Sequence, residues 1–155
     1  HNAAVLNERL FEDVEFEQWR TEIGIILQAA FILSKAVWQP MIDAGFGRIV
    51  FMSSGSALRG FVKEAAYCPG KHGQEGLMKV LSMEGEPHNI AVNTFTTGAP
   101  INTPMSHGHY PEAARQEWID PGLLVPAFVW LAKQDTIVHT GERLDAFKMS
   151  QSLTT

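Results

Sequence analysis

Only one cysteine, Cys68, occurs in the 155 residues, which rules out an intramolecular disulfide and fits a reducing compartment. No partner for a catalytic thiol is visible around it, so a small residue on a helix is the plain reading. Basic residues are also few: twelve lysines and arginines stand against seventeen aspartates and glutamates, for a formal charge of −5. They form no cluster, which argues against nucleic acid as a partner. Uninterrupted apolar runs are short. The greasiest, residues 123–132, contains Pro126 and falls below the roughly 20 residues that a bilayer crossing needs. No secretory leader pattern, internal repeat or low-complexity tract is visible, so a cytoplasmic protein without a membrane partner is expected. Metal binding is not expected either. His107 and His109 stand two apart in a loop with no further ligand, while His1, His72, His88 and His139 read as terminal, surface or turn residues.

What is present is enough for a core: 45% of the residues are hydrophobic, and the length suggests a single domain over 1–155. Strand and helix patterns alternate, which predicts an α/β chain with a parallel sheet. Residues 17–43 are predicted as a long amphipathic helix, with Trp19, Ile23, Ile26, Leu27, Ala30, Phe31, Ser34, Val37, Trp38 and Met41 on its buried face. A strand over 48–53 carries Ile49, Val50, Phe51 and Met52 as a continuous apolar run, which suits a sheet covered on both faces. A second helix is expected over 65–85, with Pro69 in its first turn, where a missing N–H has no helical partner. A strand over 90–95, a polar segment over 103–120, a helix over 121–134 and a last strand over 141–147 complete the pattern. Glu8, Glu12, Asp13, Glu15 and Glu17 gather where the first helix begins, and negative charge there complements its dipole.

One constellation carries chemistry. Tyr67 and Lys71 are four residues apart, a spacing that puts both side chains on one helix face, and Ser54 follows the apolar strand. A phenol with a pKa of about 10 is a poor base near neutral pH, and a lysine cation within ~4–6 Å favours its ionised form. A serine hydroxyl at the strand end can hold a substrate oxygen beside it. Alone, such a tyrosine–lysine pair is most often an ordinary surface pair. Its neighbours decide.

Those neighbours run Gly47-Arg-Ile-Val-Phe-Met-Ser-Ser54, Ala65-Ala-Tyr67-Cys-Pro-Gly-Lys71-His-Gly73, Asn89-Ile-Ala-Val-Asn93 and Gly98-Ala-Pro-Ile-Asn-Thr103-Pro-Met105. In order and spacing, this resembles the short-chain dehydrogenase/reductase family. His1-Asn2-Ala3-Ala4 is similar to the family's Asn-Asn-Ala-Gly segment, and Glu17-Gln-Trp19 to the start of its next helix. The resemblance covers nearly the whole chain but only the second half of a typical member. It implies an incomplete Rossmann-like parallel sheet with flanking helices, the second half of a doubly wound fold. It also implies NAD or NADP as cofactor and a secondary alcohol or ketone as substrate. Tyr67 would be the general acid/base, Lys71 the group that lowers its pKa and bonds the nicotinamide ribose, and Ser54 the substrate-positioning hydroxyl. Asn2, Gly98 and Thr103 would join Lys71 in holding the cofactor.

Two positions depart from the family pattern. Ile26 stands where many members place an asparagine that holds a relay water, so the relay from Lys71 is expected to be damaged or rerouted. Thr97-Gly98 replaces a Pro-Gly pair. The family's glycine-rich strand–turn–helix for the cofactor pyrophosphate is also absent from the sequence. With His1 in place of a methionine, this suggests a fragment that is inactive by itself. Gly73 and Gly76 match the family's small packing positions, and Gly70 is an addition. The run Glu84-Gly-Glu-Pro-His-Asn-Ile90 resembles the hydroxyacyl-CoA dehydrogenase branch.

Two other readings use the same residues. Ser54 with Tyr67 and Lys71 could serve a cofactor-independent esterase. Alternatively, the helices over 17–43 and 65–85 could form a homo-oligomeric, non-catalytic module, since an unpaired sheet edge and apolar face invite association.

Overall fold

Residues 1–154 are described by a computed structural model of the chain. Three strands pair in parallel in the order β1 (Gly47–Met52), β2 (Ile90–Thr96) and β3 (Arg143–Asp145). Gly47 opposes Ile90 and Met52 opposes Phe95, while Thr94 opposes Arg143. Successive side chains along a strand point to opposite faces, so the apolar run in β1 feeds two cores. Ile49 and Phe51 join Ile90, Val92, Ala30 and Met78 on one side. Val50 and Met52 pack on the other, against a cluster of Phe95, Leu124, Ala127, Leu131 and Ala146. The result is a Rossmann-like parallel sheet between helical layers, as the alternating pattern predicts. On the far edge of β1, the main chain of His1 takes a strand partner's place. Its nitrogen donates to Val50 O at 2.7 Å, and Met52 N donates to His1 O at 3.0 Å.

The predicted first helix is α1 (Phe16–Ile23), a π-helical turn (Gly24–Gln28) and α2 (Ala29–Ala44) in direct succession. A π turn holds an extra residue, which shifts the phase of everything after it. Ile26, Ala30 and Ser34 are buried as expected, but Phe31 and Val37 face outward, because a 3.6-residue count carried through the π turn misplaces them. Gly45 ends α2 at φ 61°, the left-handed conformation that glycine adopts without strain. Taken as one 29-residue helix, this stretch has an 18-residue window of mean hydropathy 1.4, enough by length and composition to cross a membrane. Counting uninterrupted apolar runs misses this, because Gln28, Ser34 and Lys35 break the run without lowering the mean much.

α3 (Tyr67–Gly85) lies against the π turn. A Cβ on Gly70 would come within 3.0 Å of Ile26, and one on Gly73 within 2.6 Å of Leu27. These two glycines admit the close approach. Gly76 has nothing within 4 Å of such a Cβ and is not a packing glycine. The polar segment contains α4 (Pro104–His109), and the next helix enters through a 3-10 turn before α5 (Val125–Ala132). The last predicted strand is cut to three residues and gives way to α6 (Ala146–Leu153). Asp145 causes the switch: its side chain caps α6 by accepting from Lys148 N at 2.9 Å.

Candidate active site

β1 ends at Met52, and Ser54 follows in extended backbone before a 3-10 turn (Gly55–Ala57). The Ser54 hydroxyl caps that turn, accepting from Ser56 N at 3.2 Å. α3 begins at Tyr67 and brings its first two turns onto this strand end. Tyr67 is 8% exposed and Lys71 2%. Ser54 is near enough to the Tyr67 phenol to favour its ionised form. The Lys71 ammonium lies 5.6 Å from the phenol ring centroid, donating to Met52 O at 2.6 Å and to Gln74 Oε1 at 3.2 Å. Ser54, Tyr67 and Lys71 thus meet at the C-terminal end of one parallel strand, where open α/β sheets place their ligands.

The electrostatics differ from the sequence expectation. Burial pushes the Tyr67 phenol above its ordinary value; Ser54 pulls it back in part, and the charge of Glu64 adds to the rise. The expected lowering by Lys71 is not found. Its ammonium is turned to the Met52 carbonyl, and burial brings its own pKa down to about 8 against the opposing pull of Glu75. Tyr67 is therefore a protonated phenol at neutral pH, suited to donating a proton.

Sequence reasoning passed over Gln74, which is fully buried. Its Nε2 donates to Ile26 O at 2.8 Å and lies 3.2 Å from His1 Nδ1, while its Oε1 accepts from Lys71. This side-chain amide spans from the ammonium to a carbonyl in the π turn. The available signal was a glutamine three residues after Lys71, on the same buried helix face.

The other predicted residues make no hydrogen bond with Ser54, Tyr67 or Lys71 among the described residues, and their own partners are local. Asn2 is exposed beside the paired His1. Gly98 adopts φ 73°, and a Cβ there would fall 2.0 Å from Asp145 Oδ1, so glycine is required. Thr103 caps α4, its hydroxyl accepting from Ser106 N at 3.3 Å. His107 reaches Asn102 Oδ1 at 2.6 Å and packs edge-on to Trp118. Cys68 donates to Glu64 Oε2 at 3.1 Å, and burial raises its thiol pKa, which leaves it protonated.

The family model described as "short chain dehydrogenase" matches residues 1–114. An acetoacetyl-CoA reductase of Rhizobium meliloti (strain 1021) is 33% identical, over 94% of this chain and 64% of that protein. The peroxisomal multifunctional enzyme type 2 of Mus musculus is 31% identical, over 86% of this chain and 18% of that protein. Among solved structures, a short chain dehydrogenase from Salmonella enterica serovar Typhi superposes with a TM-score of 0.82 at 26% identity, covering 93% of this chain and 59% of that one. A 4-hydroxyisoleucine dehydrogenase mutant complexed with NADH and succinate gives 0.83 at 25% identity, covering 93% and 64%. The chain spans about three fifths of the length of the acetoacetyl-CoA reductases it matches.

Proposed function

The chain belongs to the short chain dehydrogenase family, and from that premise we propose that it carries the proton-transfer site of an NAD(P)-dependent oxidoreductase interconverting a secondary alcohol and a ketone. The observation behind this reading is the buried Tyr67 phenol, with Ser54 near enough to favour its ionised form and Lys71 one helical turn away. In the reducing direction, Tyr67 and Ser54 both donate hydrogen bonds to the carbonyl oxygen. The proton then moves from Tyr67 Oη to that oxygen as the alcohol forms. Ser54 then favours the phenolate left behind.

The residues present fit the nicotinamide end of the cofactor. An ammonium has three donors, and Lys71 uses two on Met52 and Gln74, so one remains for a ribose hydroxyl. Asn2, Gly98 and Thr103 would frame the same end. When bound, the nicotinamide supplies or accepts the hydride, which is the redox part of the reaction. Among the described residues, no glycine-rich turn joins a strand to a helix in the manner of a pyrophosphate site.

The esterase alternative asks Tyr67 to take a proton from Ser54. A phenol with a raised pKa is a weaker prospect for that task at neutral pH. The test is consumption of NADH or NADPH with acetoacetyl-CoA and simple ketones, run beside hydrolysis of a p-nitrophenyl ester. Ketone-dependent oxidation of the nicotinamide supports the reading. Ester turnover that disappears in Ser54→Ala would instead favour the hydrolase.

The same reading treats residues 1–155 as one domain and pairs two copies through the helices over 17–43 and 65–85. Exposed Phe31, Ile32 and Leu33 on α2, with Val80 and Met83 on α3, supply the apolar surface for that contact. Sedimentation is expected to show a dimer or larger species, and a compact monomer contradicts it.

A further inference from the structure

A half-buried ionic cluster sits behind the strand end that carries Ser54. Parallel register places Arg143 of β3 directly opposite Thr94 of β2, and Glu75 projects toward them from α3, eight residues after Tyr67. Arg143 Nη1 donates to Glu75 Oε1 at 2.6 Å, with side chains only 19% and 12% exposed. Thr94 Oγ1 lies 3.1 and 3.0 Å from the two Glu75 oxygens. The Ser53 hydroxyl donates to Glu75 Oε1 and accepts from Arg143 Nη1. The second guanidinium nitrogen, Nη2, donates to Ser54 O at 2.8 Å.

We infer that Arg143 and Glu75 are positioning residues for Ser54: the pair clamps the Ser53–Ser54 segment and thereby sets where the Ser54 hydroxyl meets Tyr67. This rests on the reading of Ser54, Tyr67 and Lys71 given above. A guanidinium is a rigid planar fork, so one nitrogen can hold the carboxylate while the other holds a carbonyl. Fastening β3 to α3 needs only the first of those bonds. The second is spent on the Ser54 carbonyl itself, and Ser53 is gripped from both sides. With that carbonyl and the preceding side chain both held, little freedom remains in the direction of the Ser54 Cα–Cβ bond. Burying two charges is costly even when they are paired, and this arrangement directs that cost to the residue next to the phenol.

The test follows the Tyr67 ionisation by fluorine NMR. Tyr67 and Tyr110 are the only tyrosines, so Tyr110→Phe in the full chain, labelled with difluorotyrosine, leaves a single signal whose phenol titrates nearer neutral pH. The double variant Glu75→Gln/Arg143→Met removes both charges and leaves the net charge unchanged. It is expected to raise the Tyr67 midpoint by about one pH unit, the scale of one lost hydrogen bond. Ser54→Ala should raise it by a similar amount, and all three substitutions together should go no further, because the pair acts through Ser54. An unmoved midpoint in the double variant overturns the inference, and so does a shift that adds in full to that of Ser54→Ala. Should Ser54→Ala by itself be silent, the underlying site reading fails and this one falls with it. Circular dichroism checks folding. If the double variant does not fold, Arg143→Lys serves: its one ammonium cannot span both acceptors, so a rise in the midpoint is expected and none contradicts.

Discussion

Tyr67→Phe is expected to lower kcat/KM for ketone reduction, measured where this site works together with a cofactor pyrophosphate site, by about 10²–10⁴-fold, the range a positioned proton donor contributes. The loss should fall on kcat, because the phenolic proton moves only as the alcohol forms. The substitution keeps the ring in its buried site and removes only the hydroxyl, a change worth at most about 1 kcal/mol of stability. A near-parental melting curve with turnover all but lost is therefore the predicted pair of results. Steady-state kinetics on purified variants reads the first and calorimetry the second. Retained kcat in a folded Tyr67→Phe would remove the phenol from the reaction.

Lys71→Met is expected to change the pH dependence of stability in a defined direction. In the folded chain the Lys71 pKa is about 8, below its ordinary 10.5, so between those values the unfolded chain holds a proton that the folded chain has released. Stability rises with pH wherever the unfolded state binds more protons. Lys71 therefore costs stability at neutral pH, and that cost fades as pH rises from about 8 toward 10.5. The full shift corresponds to about 3 kcal/mol. Denaturant melts across this window should show the parental protein gaining stability relative to Lys71→Met, the titrations of Tyr67 and Cys68 being common to both. The variant leaves Met52 O without its donor, which offsets part of its advantage at pH 7. Parallel slopes for the two proteins would mean that Lys71 is not the strained group described here. A cation kept in so unfavourable a place is understandable if the reaction requires it, the common exchange of stability for activity.

The layered fold was legible because its signals are local. The apolar run at 49–52 and the helix expected over 65–85 each sit in one stretch of chain, and the observed boundaries of β1 and α3 fall within two residues of those expected. The site trio was legible for the same reason: Tyr67 and Lys71 are fixed by helix geometry, and Ser54 by the end of a strand. The π turn, which lies where Gly70 and Gly73 of α3 come close to Ile26 and Leu27, was not legible, and its phase shift misplaced Phe31 and Val37. β3 is three residues long, too short for any periodicity to show, and the capping role of Asp145 hid the start of α6. The direction of the Tyr67 shift depended on burial and on where the Lys71 ammonium turns, neither of which spacing contains. Glu75 and Arg143 are 68 positions apart, and only the parallel register of β2 and β3 brings them together.

The most direct measurement is a crystal structure of the protein with a nicotinamide cofactor and an unreactive ketone. The ketone oxygen is expected about 3 Å from both Tyr67 Oη and Ser54 Oγ, within hydrogen-bond reach of each. A ketone bound with its oxygen away from Tyr67, while Lys71 and Ser54 keep the positions described here, would contradict that placement.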